Sequence, residues 1–390
     1  MTTIEMEKKK TVGIYIHIPF CKSKCPYCDF CSFPRPTESF MTDYVSELCR
    51  RMEKEAARYA HVAVDSIYFG GGTPTLLPLA CADALMQTLG KGFCILPHAE
   101  ITLECNPATA DEQTLKTWRS LGVNRLSMGA QSAQPCELKA LGRLHTWEDV
   151  CRTVDAARRV GIDNINLDFM MGIPQQTVLS LTDTLKKAIS LEPQHLSAYC
   201  LSLEEGTPYH RRGATALGLP DEDQVAEMYL SSAQVIQEAG YEHYEISNFC
   251  RPGYESRHNL NTWQGGEYLG LGVAAHGHMG LTRYGNSRDM EAFLRGEDIT
   301  VDAYDMTAAQ AAAEAVMLGL RLSRGISLKH ISQRFGVNLP HLEGDDRLRP
   351  YVQRGLLRCE GDRISLTREG WLVSNAILSD IWEILDEFCG

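Results

Sequence analysis

Through its first half the chain alternates short apolar runs with longer amphipathic stretches. The short runs, rich in Val, Ile, Leu and Phe, read as strands. The stretches between them carry apolar residues three and four apart and read as helices. The pattern predicts strands over residues 12–17, 64–69, 100–104, 125–128, 164–170 and 195–201, and helices near 40–58, 110–121, 147–160 and 177–191. Strands alternating with helices build βα units around a parallel sheet, which makes the fold class α/β. Six such units suit either an open doubly wound sheet or an incomplete β/α barrel.

A stretch rich in Gly and small residues breaks the pattern at 211–220, and Asp221 stands where a new helix would be capped. A second segment, rich in Gly, His, Asn and aromatic residues, runs to about residue 302. From Met306 the pattern predicts a helix through residue 320, containing the Ala-rich run 308–315, and a second helix near 327–335. A hairpin of 356–359 and 364–366 follows, turning around Glu360, Gly361 and Asp362. Helices followed by a hairpin resemble a small winged-helix unit.

No apolar run approaches the roughly 20 residues of a membrane span. Lys8, Lys9 and Lys10 precede an apolar stretch over 12–20, but it holds His17 and Pro19 and leads into Cys21 without a small-residue cleavage site. It reads as a buried first strand rather than an export signal, so the expected location is the cytoplasm. The net charge of −12 argues against a nucleic-acid backbone as the main partner. Residues 301–390 carry 13 Asp and Glu against 10 Lys and Arg, so the winged-helix-like unit has no basic footprint either. A lid over the barrel or a protein–protein contact suits it better.

Fourteen cysteines is a high count for a chain without an export signal, and four of them fall between Cys21 and Cys31. Clustered thiols in that setting are metal ligands rather than disulfides. Cys21-x3-Cys25-x2-Cys28 follows the first predicted strand directly. Three thiolates on one short loop hold three irons of a cubane and leave the fourth open. The amine and carboxylate of S-adenosylmethionine fit that vacancy, and an electron from the cluster then releases a 5′-deoxyadenosyl radical. A structural zinc loop is the alternative; it usually needs a second pair of Cys or His ligands, and no obvious pair follows. Cys31 as a fourth ligand would block the open iron, so it reads as a bystander.

Gly70-Gly71-Gly72-Thr73-Pro74 follows the second strand, a run in which backbone groups approach a ligand closely. Glu104, Gln131, Asp168 and Ser202 fall at or just after the ends of the next four strands. All lie on the rim that carries the cysteine loop, where β/α folds place ligands.

These motifs resemble the radical-SAM superfamily, in the branch of oxygen-independent coproporphyrinogen oxidases and HemW-type haem chaperones. The resemblance covers nearly the whole chain. It implies a partial (β/α)6 barrel and a [4Fe-4S] cluster on Cys21, Cys25 and Cys28 with Tyr15 beside it. It also implies a S-adenosylmethionine site lined by Gly72 and Thr73 and completed by Glu104, Gln131, Arg143 and Asp168. The implied division is a radical-SAM core over 1–220, a smaller α+β, haem-associated segment over 221–302 and a winged-helix-like domain over 303–390.

The oxidases carry a longer amino-terminal extension and a Cys-x-Cys pair at the third ligand. Here position 30 is Phe, and only about 20 residues precede the cluster motif. The segment Arg257-His258-Asn259-Leu260-Asn261-Thr262-Trp263 is similar to the chaperones' haem-associated His-Asn-x-x-Tyr-Trp, with Thr262 where the family usually has Tyr. Imidazole suits haem iron and an indole packs on a porphyrin, so His258 and Trp263 are the haem candidates, with His276 and His278 weaker ones. The expectation is a chaperone that binds haem and delivers it to apo-haemoproteins, respiratory ones among them, with an electron donor and at most transient membrane-protein contact. The alternatives are oxidative decarboxylation of coproporphyrinogen III and radical modification of haem.

Overall fold

The computed structural model describes residues 10–107, 109–339 and 342–389. Six parallel strands lie side by side in chain order: β1 (Thr11–Ile18), β2 (Ala63–Gly71), β3 (Cys94–Cys105), β4 (Arg125–Gln131), β5 (Asn164–Met171) and β6 (His195–Cys200). A doubly wound sheet reverses its strand order at a switch point, and no reversal occurs here. The arrangement is the incomplete β/α barrel.

Between the strands run α1 (Glu38–Arg58), α2 (Leu79–Gly92), α3 (Glu112–Ser120), α4 (Trp147–Arg159) and α5 (Val178–Ser190). The strands are buried along most of their length, as expected of parallel strands covered on one face by helices and filled on the other by barrel side chains. α1 turns Met41, Tyr44, Val45, Leu48 and Met52 inward, the spacing of one helical face, and Thr37 caps its first turn. Phe69 of β2 packs edge-on against the buried Trp118 of α3, at 5.2 Å between ring centroids. α2 was absent from the sequence pattern, and β3 begins six residues before its predicted start.

The segment after the break opens with α6 (Glu222–Glu238), closed at its start by a reciprocal Asp221–Gln224 capping box. It continues through β7 (Glu242–Glu245), β8 (Asn248–Cys250), α7 (Arg257–Trp263), β9 (Tyr268–Leu271), β10 (His276–Met279), β11 (Thr282–Asn286) and β12 (Thr300–Asp305). Rather than forming a sheet of its own, this segment extends both edges of the barrel sheet. β9 pairs parallel with β1, Gly13 opposite Tyr268, and β8 pairs antiparallel with β6, Ser197 opposite Asn248. Among the described residues the result is one twelve-stranded sheet. α7 packs against both β2 and the next unit.

That unit holds α8 (Ala308–Gly319), β13 (Ile326–Ser327), α9 (Leu328–Phe335), β14 (Leu357–Glu360), β15 (Arg363–Leu366) and α10 (Ser374–Cys389). Its three short strands form a separate sheet with β15 in the centre. The hairpin expected from the Glu360-Gly361-Asp362 turn is β14–β15, with Cys359 opposite Ile364. Among the described residues no helix is long and apolar enough to cross a membrane.

Candidate functional site at the barrel rim

The cysteine loop leaves β1 and is closed by a two-residue parallel pairing of Phe20–Cys21 with Phe33–Pro34. Phe33 N–H donates to the Pro19 carbonyl at 2.7 Å and Arg35 N–H to the Cys21 carbonyl at 2.9 Å. Cys21, Cys25 and Cys28 are half-buried free thiols, whereas the Cys31 side chain is 7% exposed and belongs to the core. What Cys31 offers the site is its carbonyl, which accepts from His17 Nε2 at 2.9 Å. A carbonyl only accepts, so the imidazole proton sits on Nε2 and Nδ1 takes the Tyr15 hydroxyl at 3.0 Å. Burial keeps His17 neutral by lowering its pKa. Tyr15 thus braces the loop from beneath.

A second chain of contacts crosses the rim. Arg143 Nη1 lies 3.8 Å from Cys25 Sγ, while its Nη2 donates to the Gly129 carbonyl at 2.8 Å and to Asn106 Oδ1. Asn106 Nδ2 donates to Thr73 Oγ1 at 2.7 Å, and Thr73 Oγ1 in turn approaches Cys21 Sγ at 3.7 Å. A cavity of about 170 Å³ opens between these groups, lined by Cys25, Thr73, Asn106, Arg143 and His145. Asn106 was not singled out in the sequence; its place directly after the Glu104-Cys105 strand end was the available signal.

Glu104 is held by the Tyr68 hydroxyl at 2.8 Å and the Gly71 N–H at 3.0 Å. Burial, with the Asp168 charge adding to it, raises its pKa to about 7. Asp168 accepts from Asn166 Nδ2 at 2.7 Å and Ser127 Oγ at 3.3 Å, and burial raises its pKa too. Gln131 accepts the Tyr199 hydroxyl at 3.0 Å from a backbone with φ of 67°, a region that side-chain-bearing residues rarely adopt. Gly72 donates its N–H to the Ile18 carbonyl at 2.9 Å. A Cβ on Gly72 would stand 2.6 Å from the Phe20 carbonyl oxygen and 2.7 Å from its nitrogen.

Thr73 and Arg143 therefore stand against the thiols, Tyr15 reaches their loop through His17, and Glu104 holds the Gly71 turn beside Gly72. Asp168 instead lines a separate cavity with Tyr68, Arg125, Tyr199 and Asn259, and Gln131 meets it through Tyr199. The thiols suit a cubane. Burial, followed by the neighbouring thiolates, raises the pKa of Cys28, and iron charge would relieve that repulsion. Burial likewise raises that of Cys21. Among the described residues no three His, Cys, Asp or Glu side chains converge on one metal position. A cubane asks for no such convergence, because each cysteine binds a different iron.

The two haem candidates on α7 have different surroundings. His258 is buried at the foot of the barrel, Nδ1 3.2 Å from Ser66 Oγ, with its ring against the stacked pair of Tyr68 and Tyr15. Burial, then the Arg125 charge, lowers its pKa to about 4. Trp263, at the other end of the helix, lines an open cleft against the carboxy-terminal unit, with the Arg321 guanidinium 5.3 Å from its ring centroid. His278 is buried with Nδ1 on the Gly266 carbonyl, and His276 is exposed.

Residues 15–188 match the Radical SAM superfamily, and residues 306–373 match the HemN C-terminal domain. Fold and cysteine loop define a radical SAM protein, a class that carries a [4Fe-4S] cluster and S-adenosylmethionine. The chain is 33% identical to Heme chaperone HemW of Bacillus subtilis over 93% of its own length and 97% of the relative's. It is 36% identical to Heme chaperone HemW of Escherichia coli over 75% and 78% of the two chains. It belongs to the HemW family. The coproporphyrinogen III oxidase HemN of Escherichia coli shares the fold, with a TM-score of 0.81 at 22% identity over 99% of this chain and 92% of that one.

The close approach at Gly72 is directly testable. Gly72→Ala should lower the free energy of unfolding by about 1–3 kcal/mol, because backbone atoms block the new methyl. Denaturant melts of the two proteins check this, and equal midpoints would contradict the geometry.

Proposed function

We propose that this protein binds haem and delivers it to apo-haemoproteins, respiratory ones among them, while holding its cluster and S-adenosylmethionine at the barrel rim. The carrying observation is the kinship with haem chaperones over nearly the whole chain. Phe30 supports it: the residue is 63% exposed on the loop where the oxidase pattern has a further cysteine. The protein works in the cytoplasm and takes electrons for the cluster from a separate donor.

In this reading Cys21, Cys25 and Cys28 ligate the cluster. Arg143 offsets thiolate charge at Cys25, and Thr73 donates toward Cys21. The Glu104 carboxylate would hold the cationic amine of S-adenosylmethionine, with Gly72, Gln131 and Asp168 completing the cofactor's surroundings and Tyr15 bracing the loop. Together the two cofactors supply reductive cleavage of a carbon–sulfur bond. On the haem side Trp263 presents apolar surface, and His258, gripped by Ser66, fixes the helix that presents it.

Anaerobic titration of the reconstituted protein with hemin tests the function. A saturable Soret band, and faster transfer to apomyoglobin than from free hemin, are expected; absence of the band contradicts the proposal.

The cluster assignment carries its own expectation. Cys21→Ala, Cys25→Ala and Cys28→Ala should each lose the reconstituted cluster, measured as iron and sulfide per chain, whereas Cys31→Ala should keep it. Cluster loss in Cys31→Ala would contradict the three-ligand assignment.

The raised pKa of Glu104 gives a pH dependence. Below about pH 7 its carboxyl is protonated in the cofactor-free protein, so binding a cation must expel a proton. Affinity for S-adenosylmethionine should therefore fall as pH drops below 7, by up to about tenfold per unit. Calorimetry at about pH 6 and pH 8 checks this, and Glu104→Gln should bind more weakly at the higher pH and lose the dependence.

A further inference from the structure

We infer that haem docks in the cleft between the carboxy-terminal end of α7 and the α8–α9 unit, with Arg324 and Arg363 on its propionates and His330 facing its iron. This deepens the haem-chaperone reading and rests on it. The cleft encloses about 500 Å³, within the range of small-molecule sites. Its apolar lining comes from Trp263, Leu322, Ile326 and Ile331. Its remaining charged or titratable lining is basic: Arg324, Arg334, Arg363 and His330, with no Asp or Glu among the described residues that line it. Against a chain of net charge −12 that is a local reversal, and it matches a flat apolar ligand that carries two carboxylates.

The basic groups have distinct duties. Arg334 is committed to structure, its two terminal nitrogens donating to the Gln264 and Gly265 carbonyls at 2.7 and 2.5 Å, which ties α9 to the end of α7. Arg363 uses Nη1 on the Arg324 carbonyl at 2.8 Å, leaving its other donors to the cleft. Arg324 is exposed at the mouth. His330 is exposed in the first turn of α9, an accessible imidazole of the kind haem iron takes. His258 offers no such access, being buried against Ser66. A larger groove of about 870 Å³ beside α1 is less suited to a dianion. Its lining mixes Lys54, Arg58 and His61 with Glu55, Glu297 and Asp298, while Lys10 is paired with Glu267 and Arg50 and Arg51 with Glu47.

The test titrates full-length, cluster-reconstituted protein with hemin and, separately, with hemin dimethyl ester, in which the carboxylates are masked. Wild type should bind hemin at least tenfold more tightly than the ester. The Arg324→Gln/Arg363→Gln variant, which keeps neutral donors, should lose that preference while binding the ester as wild type does. His330→Ala should shift the Soret band, with iron and sulfide content unchanged. The variant results rest on unchanged circular dichroism; the wild-type preference stands whether or not a variant folds. Equal affinity of wild type for acid and ester, or a Gln variant that keeps the preference, overturns the cleft assignment while leaving haem binding intact. No hemin binding by wild type overturns the function and this inference together.

Discussion

Arg143 reaches two things that the chain would otherwise leave unconnected. One nitrogen stands over Cys25 on the loop after β1, and the other grips Asn106 after β3 and the Gly129 carbonyl of β4. Through Asn106 and Thr73 the same network returns to Cys21. A loop of this length has many conformations. It is fixed here because the Cys25 thiol and the ends of the neighbouring strands share one guanidinium, while the loop backbone closes on itself through Phe33 and Arg35. The His17 bridge from Tyr15 to the Cys31 carbonyl fixes the other end. The rim is therefore a set of donors and thiols held in place by the protein's own hydrogen bonds.

That rim was largely legible in the sequence, because strand ends in a parallel β/α array converge on one side and the polar residues sit just past the apolar runs. Residues that act through others were harder to find. Tyr68, Asn106 and His17 carry much of the network, yet each reads locally as part of a strand or a turn. α2 escaped because Pro78 gives its start no side-chain cap and its sequence mixes Ala, Cys, Leu and Gly without a sharp polar face. The short strands β7 to β12 escaped because their pairing is decided far away, β9 by β1 and β8 by β6.

The His258–Trp263 segment shows what a linear motif conceals. As a string, His258 and Trp263 belong together; on a helix, five residues are roughly 140° apart around the axis. α7 accordingly turns the imidazole into the barrel foot and leaves the indole to the cleft. The helix becomes a connector between the cofactor barrel and the carboxy-terminal unit. Arg334 fastens its far end and Glu100 accepts from its first N–H groups.

A carrier of haem leaves coproporphyrinogen III intact, whereas a tetrapyrrole decarboxylase consumes it. Incubating the reconstituted protein anaerobically with coproporphyrinogen III, S-adenosylmethionine and a strong reductant, then resolving the tetrapyrroles by chromatography, separates the two. Coproporphyrinogen recovered unchanged is the outcome expected of a haem carrier; sustained formation of protoporphyrinogen IX over many turnovers would make the protein an oxidase.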